Sequence, residues 1–326
     1  DAASSKSGDD AAPGDDGAAA SGGAGAAAAA DAAADDSAAE DEKDGDADDD
    51  DGDDGWQQFG PLPQREVPAI NPKKQFKTIA LLGSGAFGRV SLVRRKRDGA
   101  LFALKVCSKA HLCDKRMQET AMREREAVAA VDSDFVIRLH GTHQDRDALY
   151  WLLEPCMGGE LFDRVHSTTT NKLTSAAARF YVACVALALA DMHALGFVYR
   201  DLKMENVLIA ADGYAKLADL GFAKRVCDGR TFTQRGTPEY MAPEVVVKDT
   251  GHGLAADCWC VGVLAFELMC GYTPFRDNKG GDNPDPSVVG RNIVRQEPRI
   301  PARWDDDAAD FVRRCLDKDA GTRLGG

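Results

Sequence analysis

The sequence predicts an α+β fold of two lobes: a small β-rich lobe with one main helix, then a larger and mostly helical lobe, with a disordered acidic tail ahead of both. Three observations carry this expectation. Residues 1–55 of the 326-residue chain hold 19 Ala, 9 Gly and 19 acidic residues against two basic ones, Lys6 and Lys43, a net charge of −17, and no aromatic residue occurs before Trp56. Such a segment cannot bury enough apolar surface to offset the entropy of ordering it. Residues 56–326 carry 38 basic and 34 acidic residues and are long enough for two lobes around a full core. Within them, β-type runs come first and helical runs later, the order of an α+β chain.

The elements follow in order. After a linker at residues 56–75, residues 76–82 read as a strand, Val90 and Leu92 mark a second, and Asp98-Gly99 makes the turn before a third at 101–106. Residues 115–131 suit a helix, with Met117, Ala121, Val128 and Val131 on related faces, and short strands are expected near 136–140 and 149–154. The boundary between lobes falls near residues 156–159, so the domain at 76–326 divides into about 76–155 and 156–326. An Ala-rich helix over 173–195 can start at Thr174 or Ser175 and stop at Gly196, and a second over 256–270 stops at Gly271.

Composition narrows the function classes. The longest uninterrupted apolar run, residues 180–190, is closed by Asp191 and is too short to cross a bilayer, so no membrane span is expected. The start of the chain is acidic, unlike a secretory or transit leader, and lacks an initiator Met, which marks an expected fragment. Nine scattered cysteines without a CxxC pair indicate neither a zinc site nor a disulfide framework, and reduced thiols imply the cytoplasm. The acidic balance argues against a nucleic-acid partner.

Gly83-Ser84-Gly85-Ala86-Phe87-Gly88-Arg89-Val90 fits G-x-G-x-x-G-x-V. Dinucleotide folds share the glycine spacing, but there the glycines open a helix, whereas here a β-type run follows. The pattern suits a turn whose backbone amides approach phosphate oxygens. Lys105 is one lysine in the apolar strand 102–106 and needs an anionic partner; Glu124 on the next helix is the first candidate and Glu126 the second. In Tyr199-Arg200-Asp201-Leu202-Lys203-Met204-Glu205-Asn206 a carboxylate, a lysine and an amide stand at short fixed offsets. Phosphoryl transfer needs such a set: a group orienting the hydroxyl, a cation beside the migrating phosphoryl, and a metal ligand. Asp219-Leu220-Gly221 supplies a second carboxylate, and Ala242-Pro243-Glu244 closes the segment it opens.

With these motifs in this order, residues from about 76 to 326 resemble a eukaryotic protein kinase of the AGC group, and within it the cyclic-nucleotide-dependent kinases, especially the cyclic-GMP-dependent branch. The likeness rests on Tyr199-Arg200-Asp201, Ser133-Asp134-Phe135, Arg179-Phe180-Tyr181-Val182-Ala183-Cys184, Gly213-Tyr214-Ala215-Lys216-Leu217, Gly221-Phe222-Ala223-Lys224 and Gly236-Thr237-Pro238-Glu239-Tyr240. The resemblance implies a bilobal serine/threonine kinase using ATP and Mg2+. ATP would sit under Gly83, Ser84, Gly85, Ala86, Phe87 and Gly88, with Leu82, Val90, Ala103 and Leu208 around adenine, Leu153 as gatekeeper, and a hinge from Glu154 to Cys156.

Asp201, Lys203, Lys105 and Glu124 would be catalytic, and Asn206 and Asp219 would hold the metal. Thr237 would hydrogen-bond near Asp201, Asp257 would brace the catalytic loop, and Arg323 would pair with Glu244. Glu160, Glu205, Glu239 and Glu267 match positions lining the peptide groove, implying protein substrates with basic residues before Ser or Thr. Thr233 matches an activation-loop phosphosite with Arg200 and Lys224 as its ligands, Thr231 being the alternative acceptor. A cyclic-nucleotide-binding region or subunit is an implied partner, and a pseudokinase scaffold is the rival reading. Leu220, Met204, Gln234 and Arg235 depart from the family pattern, and Thr120 stands where a third phosphate ligand is expected.

Overall fold

In the computed structural model the chain divides into two units, Asp1–Asp50 and Asp51–Gly326. Residues 59–63, 65–85, 88–226, 229–247, 250–277 and 285–326 are described, all in the second unit. The acidic tail and the loop tip Ala86-Phe87 lie outside the described residues.

A short helix α1 (Pro72–Gln75), capped by the Asn71 side chain, leads into β1 (Phe76–Gly85). An antiparallel sheet follows, with β2 (Gly88–Arg95), β3 (Leu101–Ser108), β4 (Leu139–Gln144) and β5 (Ala148–Leu153) in the order β1-β2-β3-β5-β4. Side-chain alternation along β3 sorts the core. Phe102 and Leu104 join Phe76, Val93 and Leu152 in one apolar cluster, while Ala103 and Cys107 join the main core, which continues into the helical lobe.

The helix expected over 115–131 is α3 (Gln118–Ala130), which starts three residues later, and a short helix that was not expected, α2 (Lys109–Asp114), precedes it. Arg116 takes a left-handed φ of 51° and the Met117 amide returns to the Leu112 carbonyl, so the first helix closes before the second begins. The strand expected near 136–140 is displaced to 139–144, because Val136 and Ile137 are drawn to Leu217 of the other lobe, with Ile137 N–H donating to the Leu217 carbonyl at 2.9 Å.

The second lobe comprises α4 (Leu161–His166), α5 (Ser175–His193), β6 (Phe197–Val198), β7 (Val207–Ile209), β8 (Ala215–Leu217), β9 (Lys224–Arg225), α6 (Pro243–Val246), α7 (Ala255–Cys270), α8 (Pro286–Arg295) and α9 (Asp306–Cys315). Thr174 is the α5 cap, and Gly196 and Gly271 adopt the positive φ that ends α5 and α7. By length and composition α5 could cross a bilayer, a finding that an uninterrupted apolar run does not anticipate because alanines around polar residues raise the average. Here it packs along α7, with Val182, Val185, Leu189 and Met192 buried.

α7 is apolar nearly all round and is the lobe's buried axis, with Trp259 fully enclosed and stacked on Phe275 at 5.4 Å. The segment expected as a linker, residues 56–75, is not detached where it is described: Leu62, Val67 and Ile70 pack on the two apolar clusters, and Ala69 pairs with Thr142 of β4. Its apolar residues give it surface to bury, which the tail lacks.

Candidate active site

β1 and β2 stay paired up to Gly85 and Gly88, so the glycine motif is the end of a hairpin, as its β-type flanks imply. Gly88 has φ 134°, and a Cβ there would collide with the Val106 carbonyl, so a side chain is excluded at this crossing of β2 over β3. One strand further, Val90 pairs with Lys105 and Ala103 with Leu153. Ala103 and Leu153 are buried, Val90 and Leu208 half-buried, and Leu82 half exposed.

Glu154, at the expected hinge, is half-buried and engaged by two neighbours. Its carboxylate accepts from the Arg138 amide at 2.7 Å and pairs with Lys216 at 3.1 Å. Burial pushes the Cys156 thiol up to about 12, so it stays protonated at neutral pH.

Lys105 Nζ donates to Glu124 Oε1 at 2.6 Å, which settles the partner between Glu124 and the exposed Glu126. Asp219 Oδ1 lies 3.9 Å from the same ammonium, across the lobe boundary. Burial works against the charge on Lys105, but the Glu124 and Asp219 carboxylates more than offset it, and the ammonium is held above its ordinary range. Glu124 Oε2 is buried with no hydrogen bond of its own.

The loop between β6 and β7 places Asp201 under four constraints. Asn206 Nδ2 donates to the Asp201 carbonyl at 2.7 Å and to Oδ2 at 2.8 Å; Thr237 Oγ1 donates to Oδ1 at 3.2 Å; Lys203 Nζ lies 3.4 Å from Oδ2. Burial raises the Asp201 pKa, and Lys203, Asn206 and Thr237 oppose that rise. Both loop-bearing residues beside the reactive groups are left-handed: Arg200 at φ 69° and Asp219 at φ 50°.

The strain is contained by Asp257 of α7, whose carboxylate is fully buried and accepts from Tyr199 N–H at 2.8 Å, Arg200 N–H at 2.9 Å and His193 Nε2 at 2.7 Å. Tyr199 is fully buried and its hydroxyl donates to the Ala218 carbonyl at 2.6 Å, tying the catalytic loop to the residue before Asp219. Gly236 sits against the same loop with φ 120°, and a Cβ there would be 2.5 Å from the Arg200 carbonyl.

The donor set suits magnesium. Asn206 spends its amide nitrogen on Asp201, leaving its carbonyl oxygen as a hard ligand, and the Asp219 side chain is 35% exposed. A carboxylate and an amide oxygen completed by phosphate and water is the coordination Mg2+ takes in phosphate-transfer sites.

Four acidic residues form a field beside this centre. Burial raises the Glu160 pKa, with Asp163 and Glu205 adding to the rise, and Glu267 is pushed up to about 7 by burial, with Glu205 and Glu239 contributing and the Tyr240 hydroxyl bond opposing. Glu239 accepts from Thr273 at 2.6 Å. Thr231, the alternative phosphosite, is 1% exposed and exchanges both backbone hydrogen bonds with His252, which removes it as an accessible acceptor, whereas Thr233 is half-buried. Arg200 Nε donates to the Phe222 carbonyl at 2.7 Å, and burial pushes the His252 pKa down to about 4, with Arg200 and Lys224 adding to the fall and Glu244 and Asp257 opposing it.

The departures have visible roles. Leu220 is fully buried where the 220–222 turn packs on α3, Met204 is buried, and Gln234 Nε2 caps the α6 carbonyls of Val245 and Val246 at 2.8 and 3.2 Å. Arg235 lies 5.9 Å over the Phe222 ring. Sequence reading misses His193, Lys216, Thr273 and the Tyr240 hydroxyl, each of which only orients another group through a contact distant in sequence.

A hairpin of glycines over a cleft, with Lys105 and Glu124 on one side and Asp201, Asn206 and Asp219 on the other, defines a bilobal phosphate-transfer fold. Residues 76–326 match the protein kinase domain, and the chain belongs to that family, whose members use ATP and a divalent metal. It is 39% identical over 261 residues to the cAMP-dependent protein kinase catalytic subunit of Dictyostelium discoideum, covering 79% of this chain and 39% of that protein. It is 42% identical over 259 residues to cGMP-dependent protein kinase 2 of Mus musculus, covering 79% of this chain and 33% of the relative. It is also 38% identical over 258 residues to the human cAMP-dependent protein kinase catalytic subunit PRKX, covering 79% of this chain and 69% of the relative. The chain thus spans less than half the length of the first two relatives.

Proposed function

We propose that this chain transfers the γ-phosphoryl group of ATP to serine or threonine in proteins whose acceptor is preceded by basic residues, and that phosphorylation of Thr233 activates it. The observation that carries the reading is the set on Asp201: Asn206 and Thr237 hold its two oxygens in place and Lys203 stands beside it, with Lys105 facing Asp219 across the cleft. Asp201 would accept the hydrogen bond of the acceptor hydroxyl and orient its oxygen in line with the phosphoryl group. Lys203 would offset charge on the migrating group, and Lys105, aligned by Glu124, would hold the α- and β-phosphates. Asn206 and Asp219 would hold magnesium, which when bound shields charge on the phosphate oxygens. Adenine would lie among Leu82, Val90, Ala103 and Leu208, beside the hinge after Leu153.

Glu160, Glu205, Glu239 and Glu267 would receive arginine or lysine of the substrate, since the charges already act on one another and a cation relieves that repulsion. A phosphate on Thr233 would add roughly −1.5 to −2 charges and join the segment to Arg200 and Lys224. The names of the relatives support control by a cyclic-nucleotide-binding region or subunit, and the eight free cysteines among the described residues fit a cytoplasmic setting.

Magnesium-dependent transfer from ATP to a library of Ser/Thr peptides, with Asp201→Asn as control and Thr233→Ala alongside, tests all three parts. Transfer no greater than in Asp201→Asn, with ATP still bound, would make this a scaffold without turnover. Absence of enrichment for basic residues ahead of the acceptor would remove the substrate assignment, and full activity of Thr233→Ala would remove the switch.

A further inference from the structure

The segment carrying Thr233 lies against three cations. Thr231 exchanges both backbone hydrogen bonds with His252 at 2.8 Å, which fixes the start of the run. Arg200 and Lys224 both act on the buried His252 ring, so these two cations stand close to that bridge, two residues before Thr233. Arg200 Nε holds the Phe222 carbonyl at 2.7 Å, and Lys224 follows two residues later on β9, opposite Val198. The third cation is Arg235. Its guanidinium lies 5.9 Å over the Phe222 ring, and it lines one small cavity together with Arg200 and His252.

Alternation along the segment sorts its side chains. Residues 232–235 contain no turn or bend. Gln234 leaves on the side of α6, where Nε2 donates to the Val245 and Val246 carbonyls, whereas Arg235 leaves towards Phe222. Thr233 stands one residue before Gln234 and two before Arg235, so it shares the Arg235 side. Among the described residues neither Lys224 nor Arg235 pairs with a carboxylate. Like charges gathered at one turn repel one another, and an anion placed among them relieves that repulsion.

We propose that Arg235 is the positioning residue that completes the seat of a phosphate on Thr233, and that this seat lies wholly within the helical lobe. The proposal rests on the reading of Thr233 as a phosphate acceptor. That modification replaces the Thr233 hydroxyl proton with the γ-phosphoryl group of ATP and releases ADP and a proton. Three phosphate oxygens then call for cationic donors. Arg200 and Lys224 supply two, and the planar guanidinium of Arg235 offers a pair of N–H groups that can meet two oxygens at once. Thr120 on α3, the position expected to give a third ligand, carries no charge, so Arg235 takes that part from the segment itself. Gly236, the next residue, already presses on the Arg200 carbonyl. Seating the phosphate therefore orders the loop that bears Asp201 together with Thr237, and leaves the Lys105–Glu124 pair of the sheet lobe as it was. The effect falls on kcat rather than on ATP binding.

The test uses the full chain with phosphothreonine placed at 233 during translation, so that the modification does not depend on the protein's own activity. Wild type is compared with Arg235→Ala and Arg235→Lys. Phosphorus NMR gives the second pKa of the phosphate, expected below its ordinary value of about 6 in the wild type. In Arg235→Ala it should rise by about half a unit or more, with Arg235→Lys in between. Removal of the phosphate by a nonspecific protein phosphatase should be roughly tenfold faster in Arg235→Ala, and kcat for peptide phosphorylation should fall by a similar factor with KM for ATP within about twofold. A phosphate pKa and a removal rate unchanged in Arg235→Ala overturn the proposal, and a simultaneous loss of preference for acidic residues after the acceptor would assign Arg235 to the substrate instead. A raised KM for ATP with kcat unchanged would overturn the confinement of the seat to the helical lobe. An unphosphorylated wild-type chain as active as the phosphorylated one removes the Thr233 switch alone, because the phosphate titration still decides whether Arg235 holds the group.

Discussion

Replacing Asp257 with asparagine should cost both stability and rate, and the structure sets the size. The carboxylate accepts from two backbone amides through different oxygens, Tyr199 on Oδ2 and Arg200 on Oδ1, with His193 sharing Oδ2. Asparagine offers one acceptor oxygen, so one of the two N–H groups would face an NH2 group in a site with no water access. An unsatisfied buried donor costs about 1–3 kcal/mol, and the surviving bond loses its charge assistance, worth a further 1 kcal/mol or so. His193 can compensate by accepting from the new amide. About 3 kcal/mol should therefore be lost, a fall in melting temperature on the order of 6–12 °C for a domain of this size. The same bond holds Arg200 at φ 69°, a conformation costing about 1–3 kcal/mol for a residue other than glycine. Once released, the loop can relax and move Asp201, with a fall in kcat of about 100-fold. Denaturant unfolding and peptide phosphorylation by Asp257→Asn measure the two effects. A variant that is destabilised yet retains kcat within about twofold would show that Asp257 supports the lobe without holding the loop, and the reasoning would fail.

Glu267, with a pKa of about 7 against an ordinary 4.5, binds its proton more tightly when folded. Its contribution to stability is therefore lost as pH rises from about 4.5 to about 7, by on the order of 3 kcal/mol. Glu267→Gln should remove that slope in denaturant unfolding at pH 5 and pH 8, and a slope that persists unchanged would assign it to another group. The same titration predicts that discrimination in favour of basic peptides strengthens between pH 6 and pH 8, and that Glu267→Gln abolishes this pH dependence. Arg323 forks onto Glu244 at 2.6 and 2.9 Å and also donates to Ala255 and Asp317 carbonyls from a fully buried position. Arg323→Lys cannot make that fork and should lose about 3–5 kcal/mol, seen as a lower denaturant midpoint. Deleting residues 1–55 should leave melting temperature and peptide kinetics unchanged, because a segment with no aromatic and almost no branched apolar residue has nothing to bury in the core; a salt-dependent rise in activity on deletion would contradict this.

What the sequence made legible was local. The hairpin of glycines, the helix caps at Thr174, Gly196 and Gly271, and the run from Tyr199 to Asn206 each declare themselves within a few residues, because turn geometry and short-range spacing are written in the types of the residues themselves. Lys105 could be matched to Glu124 because a buried ammonium demands a carboxylate. The break at Arg116 was hidden, since nothing in its residue type favours a left-handed conformation, and the shift of β4 came from Val136 and Ile137 pairing with Leu217, more than 70 positions away. The packing of the segment ahead of β1 was hidden for a different reason: Leu62, Val67 and Ile70 are too sparse and too interrupted by proline to show a period, and only the missing side chain of Gly141 makes room for Ile70.

The arrangement of strain around the site explains why such distant groups matter. Arg200 and Asp219 each hold a left-handed backbone immediately beside a residue that chemistry needs or as that residue itself, and neither conformation would persist without over-determination. Asp257 fixes the first through two N–H bonds. Tyr199 joins the two, because its own amide is held by Asp257 while its hydroxyl holds the Ala218 carbonyl, one residue before Asp219. Gly236 presses on the Arg200 carbonyl from the segment carrying Thr233, so a change in that segment is felt at the same peptide. The site thus has one rigid centre, the peptide pair 199–200, on which α7, the turn carrying Asp219 and the segment carrying Thr233 all converge. A perturbation reaching that pair from any of the three should alter kcat before it alters nucleotide affinity, since the adenine contacts proposed for Ala103 and Leu153 lie on the sheet, outside this set of bonds.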